Sequence, residues 1–226
     1  MNDFDGSGLS PIRQETAPLR ARIIEAIRGA IEVGQLKPGE RLVEKKLCEQ
    51  LGVSRTSLRE ALRELEAIGV IAQVSTRGLT VVEISPREAR NIYAIRADIE
   101  ALVVWQFCEH ADDAAMQQFD QLCTELVETY RAGKFEEIIA GKKKLLIHLC
   151  GVADNAVALE LLQRLTLRTA QLRNRSVARK ARQRQSITEI EELQAAVLAR
   201  DGQSARRIAH RHVENAADSA LDLHKS

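Results

Sequence analysis

The strongest constraint on the fold is a short segment around residue 52 that ends one helix and starts another. Gly52 suits the left-handed backbone position that commonly terminates a helix. Ser54 suits the N-cap of the next helix, where its hydroxyl accepts a hydrogen bond from a free backbone N–H. After Ser54, apolar residues recur at the i, i+3, i+4, i+7 spacing of a half-buried helix: Leu58, Ala61, Leu62, Leu65 and Ile68. The segment therefore predicts a helix, a tight turn and a second helix.

The opposite face of the second helix carries a row of cations. Arg55, Arg59 and Arg63 are four residues apart, and Thr56 lies beside them. Because Arg side chains bind phosphates and the acceptor edge of guanine, such a helix can lie in a DNA major groove. The alternative is an ordinary solvated face, since two glutamates interrupt the row.

Two short runs rich in β-branched residues follow this helix. Residues 70–74 and 79–83 predict strands, and the connection 75–78 contains a glycine, which is typical of a hairpin. A helix-turn-helix followed by a hairpin with a basic tip predicts a winged helix-turn-helix. Arg77 at the tip is then placed to reach a minor groove or a phosphate.

Composition limits the remaining classes of protein. The 226 residues, of which 45% are hydrophobic, suffice for one large or two small domains. The formal net charge is only +1, so DNA binding has to depend on where the cations lie. Neither a secretory leader nor an apolar run of about 18 residues is evident, which predicts a cytoplasmic protein. The four cysteines form no CxxC pair and predict buried, reduced thiols.

The pattern divides the chain into an arm and two domains. Residues 1–17 predict a flexible N-terminal arm, and residues 18–84 predict the winged domain, which starts with a helix over about 18–33. Ser85 followed by Pro86 is typical of a helix start, and from there residues 85–226 predict an all-α bundle. About six helices are expected, with Asn174 as a candidate break in the fourth: 86–109, 112–131, 134–151, 154–180, 182–200 and 203–224.

The winged segment resembles the GntR family of bacterial transcription regulators, and in particular its FadR subfamily. The resemblance covers about residues 18–84 and is carried by residues 36–42, 44–56 and 58–65, with Arg77-Gly78 in the wing. It implies DNA contacts from Lys45, Arg55, Arg59, Arg77 and Gly78, to which the exposed row adds Thr56. Lys45 stands where the family often has Arg. A lysine keeps the charge for a phosphate but loses the bidentate fork.

The helical half resembles the FCD-type effector domain of the same subfamily more loosely. The matches are residues 93–96 with 99–100, His148 with Asn155, Asp201-Gly202 with Ala205, and His212. The resemblance implies a domain that senses a small metabolite, often a carboxylic acid, and supports a homodimer. Six helices instead of seven would indicate the VanR-like branch of the subfamily.

Many members of this subfamily hold a metal through an Asp, a His four residues later and two further His. In this chain Lys144 occupies the Asp position and Ile190 one His position, whereas His148 and His212 are kept. Two of the four ligands are replaced, and a lysine would repel a divalent ion. No metal or other cofactor is therefore expected. The alternatives are a metal-dependent variant of the same regulator, or two histidines that are ordinary polar residues.

The lysine suggests that an anion binds without a metal. We expect Lys144 and Arg96 to hold a small anionic effector, together with one or both of His148 and His212, since cation–carboxylate pairs are strong. The alternative is that Lys144 pairs with a local glutamate or faces solvent. Further arginines in the fourth predicted helix, Arg168, Arg173 and Arg175, add positive charge, and the sequence does not indicate whether they face inward.

Two other classes of function compete with a regulator. A helical-bundle enzyme lacks support, because the chain has no nucleophile motif, no Gly-rich phosphate loop and no His-Glu-x-x-His pair. A purely architectural DNA-binding protein would not need so large a bundle. The sequence therefore predicts a homodimeric repressor that reads a pseudo-palindromic operator and responds to a small organic acid.

Overall fold

The computed structural model describes residues 17–74 and 78–221, with Ala17 and Pro18 described by their backbone alone. The predicted arm, apart from Ala17, and the predicted wing tip at Arg77 lie outside these ranges. The described elements are α1 (Ala17–Glu32), α2 (Glu44–Leu51), α3 (Arg55–Ala67), β1 (Ile71–Val74), β2 (Gly78–Val81), α4 (Pro86–His110), α5 (Asp113–Ala132), α6 (Phe135–Val152), α7 (Ala156–Arg168), α8 (Ala170–Val177), α9 (Lys180–Leu198) and α10 (Gly202–Ala220).

The N-terminal part is a winged helix-turn-helix, as predicted. Gly52 ends α2 with a left-handed φ of 64°, and the Ser54 hydroxyl accepts a hydrogen bond from the Ser57 amide at 3.1 Å. The two strands pair antiparallel with Ile71 opposite Val81, and a single bridge from Arg41 to Thr80 extends the hairpin. The apolar faces of α1, α2, α3 and the hairpin form one core.

The bundle has seven helices in the described residues, where about six were expected, because the predicted fourth helix is broken. The predicted fourth helix is divided at Thr169, whose φ of −99° and ψ of 8° separate α7 from α8. The Thr169 hydroxyl donates to the Leu165 carbonyl at 3.1 Å, the kind of side-chain bond that bends a helix. Arg179 has an extended backbone and is the N-cap of α9, so the predicted helix over 154–180 is interrupted at a second place, between α8 and α9. With seven helices, the argument for the VanR-like branch no longer holds.

Helix α4 packs most extensively against α10 and also contacts α6 and α7, while α5 packs against α6 and α9. Its start is the predicted one, because Ser85 caps it by accepting from the Glu88 amide at 3.1 Å and Pro86 occupies the first turn. Phe107 and Phe119 are fully buried at the core with ring centroids 5.3 Å apart. None of the helices in the described ranges is long and apolar enough to span a bilayer.

Helices α7 and α8 join the bundle to the winged part. Leu167, only 1% exposed, belongs to the core of the winged part although it lies on α7. Polar contacts continue the junction: Arg164 Nε donates to the Ile68 carbonyl at 3.1 Å, and Gln171 Nε2 donates to the Leu36 carbonyl at 2.9 Å. Asn174 Nδ2 donates to the Glu32 carbonyl, which is at the end of α1, at 2.6 Å. The break at Thr169 thus lies within the segment that contacts the winged part.

Candidate DNA-binding surface and effector cavity

Helix α3 presents the predicted contact residues on its exposed face. Leu58 is fully buried in the winged core, so the helix is anchored through its apolar stripe. Arg55, Thr56 and Arg59 are exposed on the other side. The helix therefore combines an inner face fixed in the core with an exposed outer face that carries arginines, the arrangement expected of a helix that enters a major groove.

Arg59 is oriented by a carboxylate on the preceding helix. Its Nε lies 3.0 Å from both oxygens of Glu44, and this bond is the main reason that the pKa of Arg59 is raised. The Arg59 side chain remains 62% exposed. Glu44 contacts the Nε atom, and within the described residues neither Nη nitrogen has a hydrogen bond. The terminal nitrogens are the atoms that a phosphate or a guanine would meet.

Lys45 and Gly78 flank this helix in different ways. Lys45 is exposed in the first turn of α2. Gly78 starts β2 with a φ of 76°, a left-handed backbone conformation that favours glycine. A Cβ at this position would lie 3.6 Å from Nε of Arg41, an ordinary contact distance, so the backbone conformation alone accounts for the glycine. Arg77 lies outside the described residues. DNA contacts by these residues stay a prediction.

A cavity of about 160 Å³ lies within the bundle, and α1 of the winged part closes one side of it. Arg96 on α4 and Arg173 on α8 both line it. Arg96 pairs with Glu100 through Nε and Nη2, the latter at 2.8 Å from the carboxylate, and its side chain is only 11% exposed. The remaining nitrogen, Nη1, is buried and has no hydrogen-bond partner in the described residues, although the guanidinium carbon lies 5.2 Å from the centroid of the Tyr93 ring.

Arg173 is less well satisfied than Arg96. Its Nε and Nη2 are buried without a hydrogen-bond partner in the described part of the chain. Burial lowers the pKa of Arg173, and the nearby Arg96 lowers it further, while the Glu32 carboxylate opposes the change. Sequence reasoning noted this arginine without placing it, because the break at Thr169 decides which way α8 faces.

A second polar group in the cavity is built around Glu189. Arg182 Nη1 donates to Glu189 Oε2 at 2.7 Å, and both side chains are about 5% exposed or less. His212 Nδ1 lies 2.6 Å from the same oxygen, and Asn215 Nδ2 donates to Oε1 at 2.6 Å. Burial would raise the pKa of Glu189, but these partners lower it to about 2. Sequence reasoning identified His212 and missed its partners, which have no motif of their own.

His212 is neutral in this environment. Burial is the main reason that its pKa is lowered to about 4, and Lys142 and Arg182 add to the effect. Because Nδ1 lies against the Glu189 carboxylate, we assign the ring proton to Nδ1. The Nε2 atom is then an acceptor, available to a hydroxyl or N–H group in the cavity that His212 lines.

The structure does not bring the four predicted effector residues together. Arg96 and His212 line the cavity, but Lys144 and His148 do not. Lys144 is exposed on the outside of α6, which corrects its predicted role. His148 Nε2 lies 2.9 Å from the Ala115 carbonyl, and its ring packs edge-on against Phe107 at 5.5 Å.

The physical reason for this correction is the rotation of α6. Residues 144 and 148 share one face, as their spacing predicts, but the face toward the cavity is the one with Lys142, Leu145 and Leu149. Ile190, at the other replaced ligand position, is buried in the cavity wall. Among the residues that the structure describes, no three His, Cys, Asp or Glu side chains are grouped to hold a metal ion. Absence of a metal stays a prediction.

Comparison with known families decides the identity of the two parts. Residues 19–81 match the family described as bacterial regulatory proteins, gntR family. Residues 91–215, more than half of the chain, match the FCD domain. The chain belongs to the GntR family, with an FCD domain. The resemblance drawn from the sequence is therefore confirmed.

Similar proteins support the same assignment for this GntR-family member. The HTH-type transcriptional regulator McbR of Escherichia coli (strain K12) is 27% identical over 150 residues, which are 66% of this chain and 68% of McbR. The HTH-type transcriptional repressor RspR of the same strain is 24% identical over 211 residues, which are 92% of this chain and 91% of RspR. The solved structure of E. coli McbR/YncC has the same fold, with a TM-score of 0.80 and 23% identity over 92% of this chain and 99% of that chain.

These matches establish the general function of the GntR-family chain. Its relatives are DNA-binding transcriptional regulators, and the two matched domains together account for most of the described residues. The chain is therefore a transcriptional regulator of the GntR/FCD type and not an enzyme, and its macromolecular partner is DNA.

Proposed function

We propose that this regulator is a homodimeric repressor whose DNA affinity changes when a small organic acid binds in the cavity. The observation that carries the proposal is the pair of arginines, Arg96 and Arg173, which together have three buried nitrogens without a hydrogen-bond partner in the described residues. A carboxylate supplies both the missing acceptors and the missing charge. The neutral His212 adds an acceptor for a hydroxyl group of the acid.

Burial of these donors without acceptors costs free energy in the ligand-free protein. An unpaired buried donor costs about 1–3 kcal/mol, and more when it is charged. Arg173 has two such donors and Arg96 has one. A protein bears this cost when the donors are kept for a ligand, so that binding recovers it. In the proposed effector site, Arg173 therefore takes the place of Lys144 and His148.

The DNA side of the proposal uses the exposed face of α3. Arg55, Thr56 and Arg59 would read bases or phosphates, with Lys45 on a phosphate and Arg77 and Gly78 in the wing. A homodimer with two such helices recognises a pseudo-palindromic operator. RspR, which is named a repressor, is similar over nearly the whole chain and supports the same sign of regulation here.

Control by the acid requires that it binds one conformation of the regulator more tightly than the other. An acid with equal affinity for both conformations would not change their populations. The contacts between α8 and the end of α1 give a route, because Arg173 lines the cavity and the adjacent Asn174 donates to the Glu32 carbonyl. Movement of α8 toward a bound acid would therefore act directly on the winged part.

The test is a thermal-shift screen of small mono- and dicarboxylic acids, followed by a DNA gel shift with the best acid. At 100 times its Kd, a ligand raises the unfolding free energy by about 2.7 kcal/mol. We expect Arg173→Met to lose both this stabilisation and the effect of the acid on DNA binding. Arg175→Met is the matched control, because Arg175 is an exposed arginine of the same helix. Unchanged responses in Arg173→Met would contradict the proposed site.

A further inference from the structure

The winged part contributes charged groups to the cavity. Arg28 and Glu32, on the second half of α1, line it together with Lys142 and Lys143 of α6. The side chain of Arg28 is 21% exposed and that of Lys143 is 46% exposed, whereas Arg96 is 11% exposed. Arg28 and Lys143 therefore form the outer end of the cavity, between the two parts of the molecule, and Arg96 lies deeper.

A single carboxylate holds the outer end together. Glu25 lies 3.3 Å from Nη1 of Arg28 on its own helix and 3.5 Å from Nζ of Lys143 on α6. Its side chain is 57% exposed, so this cross-contact is a weak, solvent-screened ion pair. A ligand anion at the same place could displace it at little cost.

The balance of charge favours a ligand with two anionic groups. Six cationic side chains and three carboxylates line the cavity, which with a neutral His212 leaves a net charge of +3. Arg96 is paired with Glu100 and Arg182 with Glu189. Arg28 and Lys143 share Glu25, which lies beside the lining and reduces the local excess to +2. The excess therefore lies on Arg173 and Lys142, which have no ion pair in the described residues, and on Arg28 and Lys143, which share one carboxylate. One monoanion at the inner end would leave the outer cations with only partial compensation.

We propose that the effector is a dianion that bridges the two parts of the regulator. Its inner anionic group binds Arg96 and Arg173, and its outer group binds Arg28 of the winged part with Lys142 of the bundle. Arg28 is then a specificity residue for the effector although it lies in the DNA-binding part. This inference rests on the proposed function and adds the ligand's second charge and the residue that receives it.

The test compares straight-chain dicarboxylates of four to seven carbons with monocarboxylates of the same lengths, by calorimetric titration of the full chain. We expect the best dicarboxylate to bind at least tenfold more tightly than its monocarboxylate. Arg28→Met should remove this preference without weakening the monocarboxylate, and Arg28→Lys should restore part of it. Arg22→Met, which removes an exposed arginine of α1 outside the cavity, is the matched control and should behave like the parent.

The outcomes separate this inference from the proposed function. Equal binding of both kinds of acid, or a preference that survives in Arg28→Met, overturns the bridging dianion. If such a result occurs while Arg173→Met still abolishes binding, the anionic effector site itself stands. If none of the acids binds the parent protein, both proposals fail. Thermal melting of each variant without ligand shows that any loss of binding is not a loss of folding, provided that the transition stays cooperative and its midpoint does not fall.

Discussion

Replacing Arg173 by methionine should make the ligand-free protein more stable. The substitution removes two buried donors, Nε and Nη2, that have no partner in the described residues, and it keeps most of the apolar volume of the side chain. The lowered pKa of Arg173 has the same origin, since burial disfavours its charged form and Glu32 compensates only in part. The native protein therefore carries an uncompensated cost at this position.

Each of the two unpaired buried donors costs about 1–3 kcal/mol, and the loss of attraction to Glu32 takes back a part of their sum. A net gain of at least about 1–2 kcal/mol is expected. For a chain of this length, each kcal/mol shifts the melting temperature by roughly 2–4 °C, so Arg173→Met should melt a few degrees higher. Stability gained at the expense of binding is common where a site is kept for a ligand.

The assay is thermal and urea unfolding of the parent, Arg173→Met and Arg175→Met after extensive dialysis. Arg175 is exposed on the same helix, so its substitution should change the unfolding free energy by less than about 0.5 kcal/mol. A decrease in the stability of Arg173→Met would refute the reasoning. It would mean that Arg173 is held by the protein itself and that its unpaired nitrogens are not available to an anion.

Further measurements test the DNA surface and the polar group around Glu189. Arg59→Ala should cost about 1–3 kcal/mol of DNA-binding free energy and relax the sequence preference at one base position. Lys45→Ala should weaken binding to all DNA sequences and reduce the slope of log affinity against log salt by about one. Gel shifts across salt concentrations measure both effects, and unchanged affinity in both variants would exclude α3 from the groove. The folded pKa of His212, about 4, lies below its ordinary 6.5, and that of Glu189, about 2, lies below 4.5, so the unfolded chain binds more protons in both windows. The unfolding free energy should therefore fall as the pH drops from about 6.5 toward 2. In urea titrations, His212→Gln should make the unfolding free energy less dependent on pH between about 6.5 and 4. An unaltered pH dependence in that range would mean that His212 is not buried and neutral.

The parts of the fold that were predicted correctly depend on local chemistry. Gly52, Ser54 and the Ser85-Pro86 pair act on the backbone within one turn of their own position, so the ends of α2, α3 and α4 are recognisable in the residues alone. The buried stripe of α3 is a matter of spacing in one helix. Such signals do not depend on where the next helix lies.

The errors concern how helices are rotated in the bundle. The spacing of Lys144 and His148 correctly indicated a shared face, but only the packing of α6 against its neighbours decides that this face points away from the cavity. The direction of Arg173 is unpredictable from the sequence for the same reason, since it depends on the break at Thr169. A single sequence does not contain that information, because several rotations bury similar amounts of apolar surface.

The position of Leu167 in the core of the winged part bears on how such regulators can be recombined. A winged part excised near residue 84, the boundary that the sequence suggests, would lose Leu167 from its own core. It would also lose the hydrogen bonds that Arg164 and Gln171 donate to the carbonyls of Ile68 and Leu36. It would expose that surface to water and to other chains. A chimaera that joins this DNA-reading module to a foreign sensor therefore needs either the α7–α8 segment or a newly designed surface in its place, and the two modules of this chain cannot be exchanged independently.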